Sequence, residues 1–96
     1  MTILHTLNKS PDHGLLDKCI ANLQSGDALL FIEDGTYYCK ASEKLGAIGK
    51  GIDIYFLKED LAARGLQDQL SNLGEPVSYR KFVELSTKHD KVVSWF

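Results

Sequence analysis

The sequence predicts an α/β protein: a small three-layer α/β/α sandwich with a mainly parallel sheet of four to five strands. Three observations predict it. Strand-like and helix-like pieces alternate along the chain. The run Ala28-Leu29-Leu30-Phe31-Ile32 is apolar at every position, as a strand covered on both faces must be. The chain has 96 residues, which sets one domain over 1–96. Surface scaling gives roughly 5,500 Å² folded against about 15,500 Å² unfolded, so about 65% is buried. That permits one core, without support from metal or disulfides. It excludes a two-domain enzyme and leaves little chain to wall a deep cofactor pocket.

The elements follow in order. Residues 2–7 are β-rich and read as the first strand. Ser10-Pro11 starts a helix, with Ser10 as N-cap, Pro11 in the first position and Asp12 in the first turn. Leu15, Leu16, Cys19, Ile20 and Leu23 continue it as one apolar stripe, and Gly26 ends it. The apolar run 28–32 is the central strand, closed by Glu33-Asp34-Gly35. Residues 36–42 read as a short helix, with Tyr37, Tyr38, Ala41 and Leu45 available for packing. A strand competes there on propensity, but a hairpin return would break the parallel pattern.

Residues 52–57 form the next strand and 58–64 a short helix, with Gly65 as its C′ residue. Residues 67–74 are polar and loop-like, and 76–78 give a brief strand. Ser78 caps a helix to about Lys88, packed by Phe82, Val83 and Leu85. Residues 92–96 form the last strand. Right-handed crossovers are expected throughout.

Composition narrows the function. Net charge is −2, and the 11 Lys and Arg residues are scattered rather than gathered into a stripe, so no direct nucleic-acid partner is expected. The longest apolar run is far below the ~20 residues that cross a bilayer, and no secretory signal is visible. The two cysteines, Cys19 and Cys39, make neither a disulfide framework nor a zinc motif. The reading is a reduced, cytoplasmic protein with no cofactor and no metal.

Parallel sheets bind ligands at the carboxyl ends of their strands. That selects Asn8-Lys9-Ser10, Glu33-Asp34-Gly35 and Lys58-Glu59-Asp60. The first could hold an anion beside Lys9. The second could hold a metal or work as acid and base. A capped helix and a plain turn explain both more simply. Gly46-Ala47-Ile48-Gly49-Lys50-Gly51 looks like a phosphate loop but precedes a strand and lacks the Walker spacing. Cys19 sits on an apolar stripe, which makes an inert thiol. Cys39, near the start of a short helix and beside Lys40, has the better thiolate environment. His5, His13 and His89 do not cluster. The residues alone mark no active site. Receiver and flavodoxin readings fail because no acidic pair follows the first strand and no Thr/Gly phosphate loop is present. The last strand carries Trp95 and Phe96, either at an edge covered by its own helices or on a surface completed by another subunit.

Several segments together resemble a known family. Ile3-Leu4-His5-Thr6-Leu7-Asn8-Lys9-Ser10-Pro11 resembles the opening of the DsrH/TusB family. Ala28–Gly35, spelled ALLFIEDG, resembles its central strand and turn. Ile54-Tyr55-Phe56-Leu57, Asp60-Leu61 and Ala63-Arg64-Gly65-Leu66 resemble its next block, and Tyr79, Phe82, Val83, Leu85 and Trp95 its ending.

The resemblance implies a DsrE/F/H-like fold and a place in a heterohexamer with TusC/DsrF-like and TusD/DsrE-like subunits. In the Tus branch such a complex takes persulfide sulfur from a TusA-like carrier and passes it to a TusE-like carrier. The sulfur then reaches 2-thiolation of the tRNA wobble uridine. The sulfur-carrying cysteine there belongs to the TusD-like subunit, so this chain would be an accessory subunit, not catalytic alone. The Dsr branch serves sulfur oxidation and carries a cysteine on the first helix. Cys19 falls at that place, which makes it the persulfide candidate of the alternative reading; Cys39 has no counterpart. The resemblance also favours Trp95 and Phe96 as partner surface.

Overall fold

The computed structural model describes residues 1–96, apart from the side chain of Ser42. Five strands form one sheet: β1 (Ile3–Leu7), β2 (Ala28–Phe31), β3 (Asp53–Leu57), β4 (Glu75–Val77) and β5 (Lys91–Trp95). Their spatial order is β4-β3-β2-β1-β5, and every pair is parallel. Four α-helices connect them: α1 (Leu15–Ile20), α2 (Ser42–Gly46), α3 (Lys58–Ala63) and α4 (Tyr79–Lys88). Two 3₁₀ segments, Pro11–His13 and Glu33–Lys40, complete the chain. The expected α/β sandwich is what forms, with five strands all parallel. Its surface is 5466 Å², as the scaling expects.

Strand order decides which helix covers which face. From β1 to β4 each step moves in one direction across the sheet. Right-handed crossovers therefore put α1, α2, α3 and the long 3₁₀ segment on the same face. The step from β4 to β5 runs back across the whole sheet, so α4 lies alone on the other face. The two cores follow. On the crowded face Leu7, Leu29, Phe31 and Phe56 pack against Leu16, Cys19, Tyr38, Cys39, Leu45 and Leu61. On the other, Leu4, Ala28, Leu30 and Val77 pack against Leu85 and Phe82. Consecutive β2 residues serve opposite cores, which is why that strand is apolar at both parities.

Four local expectations are corrected. The first helix does not run from Ser10. Pro11–His13 winds as 3₁₀ and closes on Gly14, whose φ of 69° is left-handed, and α1 begins afresh at Leu15. The Ser10 hydroxyl makes no helix cap; it bonds the Asp12 carboxylate and His13 Nδ1. The second correction concerns residues 36–42. They are helical, as preferred over a strand, but the segment starts at Glu33 and is 3₁₀. Three residues per turn stack 35 over 38 and 36 over 39, and all four are buried. Tyr38 is thereby inside, packed against Phe31 with ring centroids 5.2 Å apart.

The same winding puts Cys39 near the end of the segment, not the start, with its side chain buried. Finally, Val83 does not pack: it is 62% exposed, because Phe82 and Leu85 already form the stripe of α4 that meets the sheet. Ser78 does cap that helix, its Oγ accepting from Lys81 N–H at 3.2 Å.

Candidate functional site

The strand order reverses between β1 and β5, so the carboxyl ends of these two strands are the topological switch point. Asn8-Lys9-Ser10 leaves β1 there, and Trp95 and Phe96 end the strand beside it. Asn8 N–H donates to the Trp95 carbonyl at 3.4 Å. The Asn8 Oδ1 is buried without a hydrogen-bond partner. Thr6 and Ser94 join the two strands through their hydroxyls, 3.1 Å apart. Phe96 is 79% exposed, whereas Trp95 is half-buried and committed inward.

That commitment is a buried polar chain on the crowded face. Trp95 Nε1–H donates to His5 Nδ1 at 3.1 Å. His5 Nε2 lies 3.2 Å from Asp27 Oδ2. Asp27 also accepts from Ile3 N–H at 2.9 Å and Gln24 N–H at 3.0 Å. Both ionisable members are inside: His5 and Asp27 are among the few buried polar residues. Burial pulls the Asp27 carboxyl upward, but the N–H groups of Gln24 and Ile3, with His5, outweigh it and hold it below the ordinary carboxylate value. His5 was legible only as a histidine inside a strand, and Asp27 only as the last polar residue before the apolar run. No spacing rule links positions 5, 27 and 95.

The cysteines are placed differently from a thiolate site. Cys19 is fully buried on α1 among Leu7, Leu16 and Leu29. Burial, helped by the Asp27 charge, pushes its thiol up to about 12. Burial also raises the Cys39 thiol, and Lys40 only partly offsets it. Both sulfurs therefore carry their protons at neutral pH.

The other two selected loops meet each other rather than a ligand. Asp60 Oδ2 accepts from Glu33 N–H at 2.6 Å, and Arg64 Nε donates to Asp34 Oδ1 at 3.1 Å. Glu33 and Asp34 thus belong to a braced turn. Gly46-Ala47-Ile48-Gly49-Lys50-Gly51 lies at the amino end of the sheet, where Gly26 N–H donates to the Gly51 carbonyl at 3.0 Å. An open cleft of about 300 Å³ between β3 and β4 is walled by Asp53, Tyr55, Asn72 and Glu75, away from the switch point. Among the described residues, no three His, Cys, Asp or Glu side chains are grouped to hold a metal. Also among them, no helix is long and apolar enough to cross a membrane.

Comparison with known proteins fits this arrangement. The ychN protein of E. coli superposes with a TM-score of 0.77 over 99% of both chains, at 18% identity. Protein Tm0979 of Thermotoga maritima gives 0.68 over 90% of this chain and 92% of that one, at 21% identity. These likenesses concern the fold. In sequence, Protein TusB of Pectobacterium carotovorum subsp. carotovorum (strain PC1) is 34% identical, over 97% of this chain and 100% of its own. Protein TusB of Escherichia coli O9:H4 (strain HS) is 38% identical with the same coverage. The profile of the family described as DsrH like protein matches residues 9–92. The chain belongs to the DsrH family.

Proposed function

We propose that the chain is an accessory subunit of a cytoplasmic sulfur-relay complex, one that passes persulfide sulfur towards 2-thiolation of the tRNA wobble uridine. The observation that carries this reading is the end-to-end similarity to proteins named TusB, at 33–38% identity with 100% of each relative covered. Its partners would be TusC/DsrF-like and TusD/DsrE-like subunits, with TusA- and TusE-like carriers before and after the complex. The buried, protonated thiols support an accessory role over a carrier role. Exposed Phe96, continuing from Trp95 at the open edge of the sheet, supports partner surface there.

Coexpression with TusC- and TusD-like subunits tests the reading. The chain should co-elute with both, and cells lacking it should lose wobble 2-thiouridine. Separate elution, or unchanged thiouridine, overturns it. The alternative, a DsrH-like subunit with Cys19 as persulfide carrier, makes a different prediction. Loading with a persulfide donor would then add the mass of one sulfur to the wild type and not to Cys19→Ser. The accessory reading expects no such addition in either.

A further inference from the structure

The buried chain through His5 has an unusual property: its proton positions are fixed by its neighbours. An indole N–H can only donate, so the His5 Nδ1 facing Trp95 has to present a lone pair. A carboxylate can only accept, so the Nε2 facing Asp27 carries the hydrogen. Two further N–H donors, from Ile3 and Gln24, keep Asp27 in its acceptor form. The ring is therefore the neutral Nε2–H tautomer, held from three strands at once. Asp27 heads β2, His5 lies in β1, and Trp95 ends β5.

We infer that His5 is a proton-operated latch on Trp95: taking a proton at Nδ1 removes the indole's acceptor and frees the Trp95 side chain. The new N–H would point at the indole N–H, and one of the two must move. The Asp27 bond is kept and becomes a charge-assisted pair, so the ring stays and Trp95 is the group that leaves. What stays at that end of β5 is the backbone bond from Asn8 to the Trp95 carbonyl and the Thr6–Ser94 contact. The latch thus sits behind the switch point and acts on the side chain at its β5 side.

Few other charges face the ring. β2 brings Asp27, with Leu29 in register with His5. β5 brings Trp95, with Val93 in register; Lys91, at the same parity, is exposed. α1 brings the Cys19 thiol, which feels Asp27; its neighbours Asp17 and Lys18 are exposed. The competition is therefore local: Asp27 favours the proton and Trp95 opposes it.

Trp95 is the only tryptophan in the chain, so indole emission reads this one contact. The His5 and Trp95 ring centroids lie 6.3 Å apart and Trp95 is half-buried, so release moves the indole from protein into water. Lowering the pH should move the emission maximum to longer wavelength in one single-proton step, before any change in far-UV circular dichroism. The step should vanish in His5→Gln. Nitrogen NMR of the wild type should show Nε2 protonated and Nδ1 bare at neutral pH. In Trp95→Phe the His5 titration midpoint should move up, because the competing donor is gone. An Nδ1–H tautomer, emission that stays flat until the protein unfolds, or an unmoved midpoint in Trp95→Phe would overturn the latch.

Discussion

The Asp60 carboxylate accepts the backbone N–H of Glu33 at 2.6 Å and so fastens the turn after β2 to the first turn of α3. The turn needs fastening, because Glu33 is a non-glycine residue at φ 49°. Arg64 adds to the brace, donating to Asp34 Oδ1 and, at 3.3 Å, to the Asp60 carbonyl. The two contributions differ in kind. Asp60→Ala removes a charge-assisted acceptor from a backbone donor and should cost about 1–3 kcal/mol. Arg64→Ala breaks a pair whose Asp34 side chain is 59% exposed, which solvent screens, so the expected loss is within about 1 kcal/mol. Urea unfolding of both variants checks the ranking; a larger loss for Arg64→Ala would contradict it.

Two glycines separate strain from collision. A β-carbon on Gly35 would run into the carbonyl of Leu7, a backbone atom at the end of β1 that cannot swing aside. Gly35→Ala should therefore cost at least the roughly 1–3 kcal/mol of ordinary overpacking. Gly14 sits at φ 69° with open space around its added carbon. Gly14→Ala carries only the left-handed penalty of about 1–2 kcal/mol. Thermal unfolding should show the Gly35 variant as the less stable of the two.

How legible this was in the sequence depended on the range of the interaction. β2 was readable because burial on both faces leaves a local mark, an apolar run without alternation. α4 was readable because its cap is local: Ser78 lies three residues from the Lys81 N–H it accepts. The break at Gly14 was missed because the apolar stripe from Leu15 onward fits a helix from Ser10 as well as one from Leu15. The 3₁₀ winding of Glu33–Lys40 was missed because nothing local separates it from an α turn, and the close approach of its Gly35 to Leu7 is distant in sequence. The chain through His5 was missed for the same reason. Residues 5, 27 and 95 meet only because β1 lies between β2 and β5. Cys39 was misjudged because a short helix beside Lys40 predicts an electropositive site only if the helix starts there and faces water.

The two thiols should be nearly silent in the folded chain. Cys19 and Cys39 are both buried, and both are held protonated by burial. A thiol reagent reacts with the accessible thiolate, so labelling has to wait for local or global opening. At neutral pH, both cysteines should label far more slowly in native protein than in urea. The native rate should rise with added denaturant below the unfolding midpoint. Fast labelling of Cys19 in native protein would show an opening of α1 that the buried packing does not suggest.

Asp27 should set how the fold responds to acid. Its carboxyl is held below the ordinary value in the folded chain, while the unfolded chain returns it to about 3.9. The unfolded state therefore binds this proton more readily. The stabilisation is complete above the unfolded value and is lost as the pH falls through the lower folded one. Asp27→Asn removes that dependence. It leaves one oxygen to serve the N–H groups of Ile3, Gln24 and His5 where the carboxylate offered two. Near neutral pH the variant should be less stable than the wild type by about 1–3 kcal/mol. The gap should narrow as the pH drops below the unfolded value of about 3.9. Urea unfolding at stepped pH measures both curves. Parallel curves across that window would mean that the carboxylate is not what joins the head of β2 to β1.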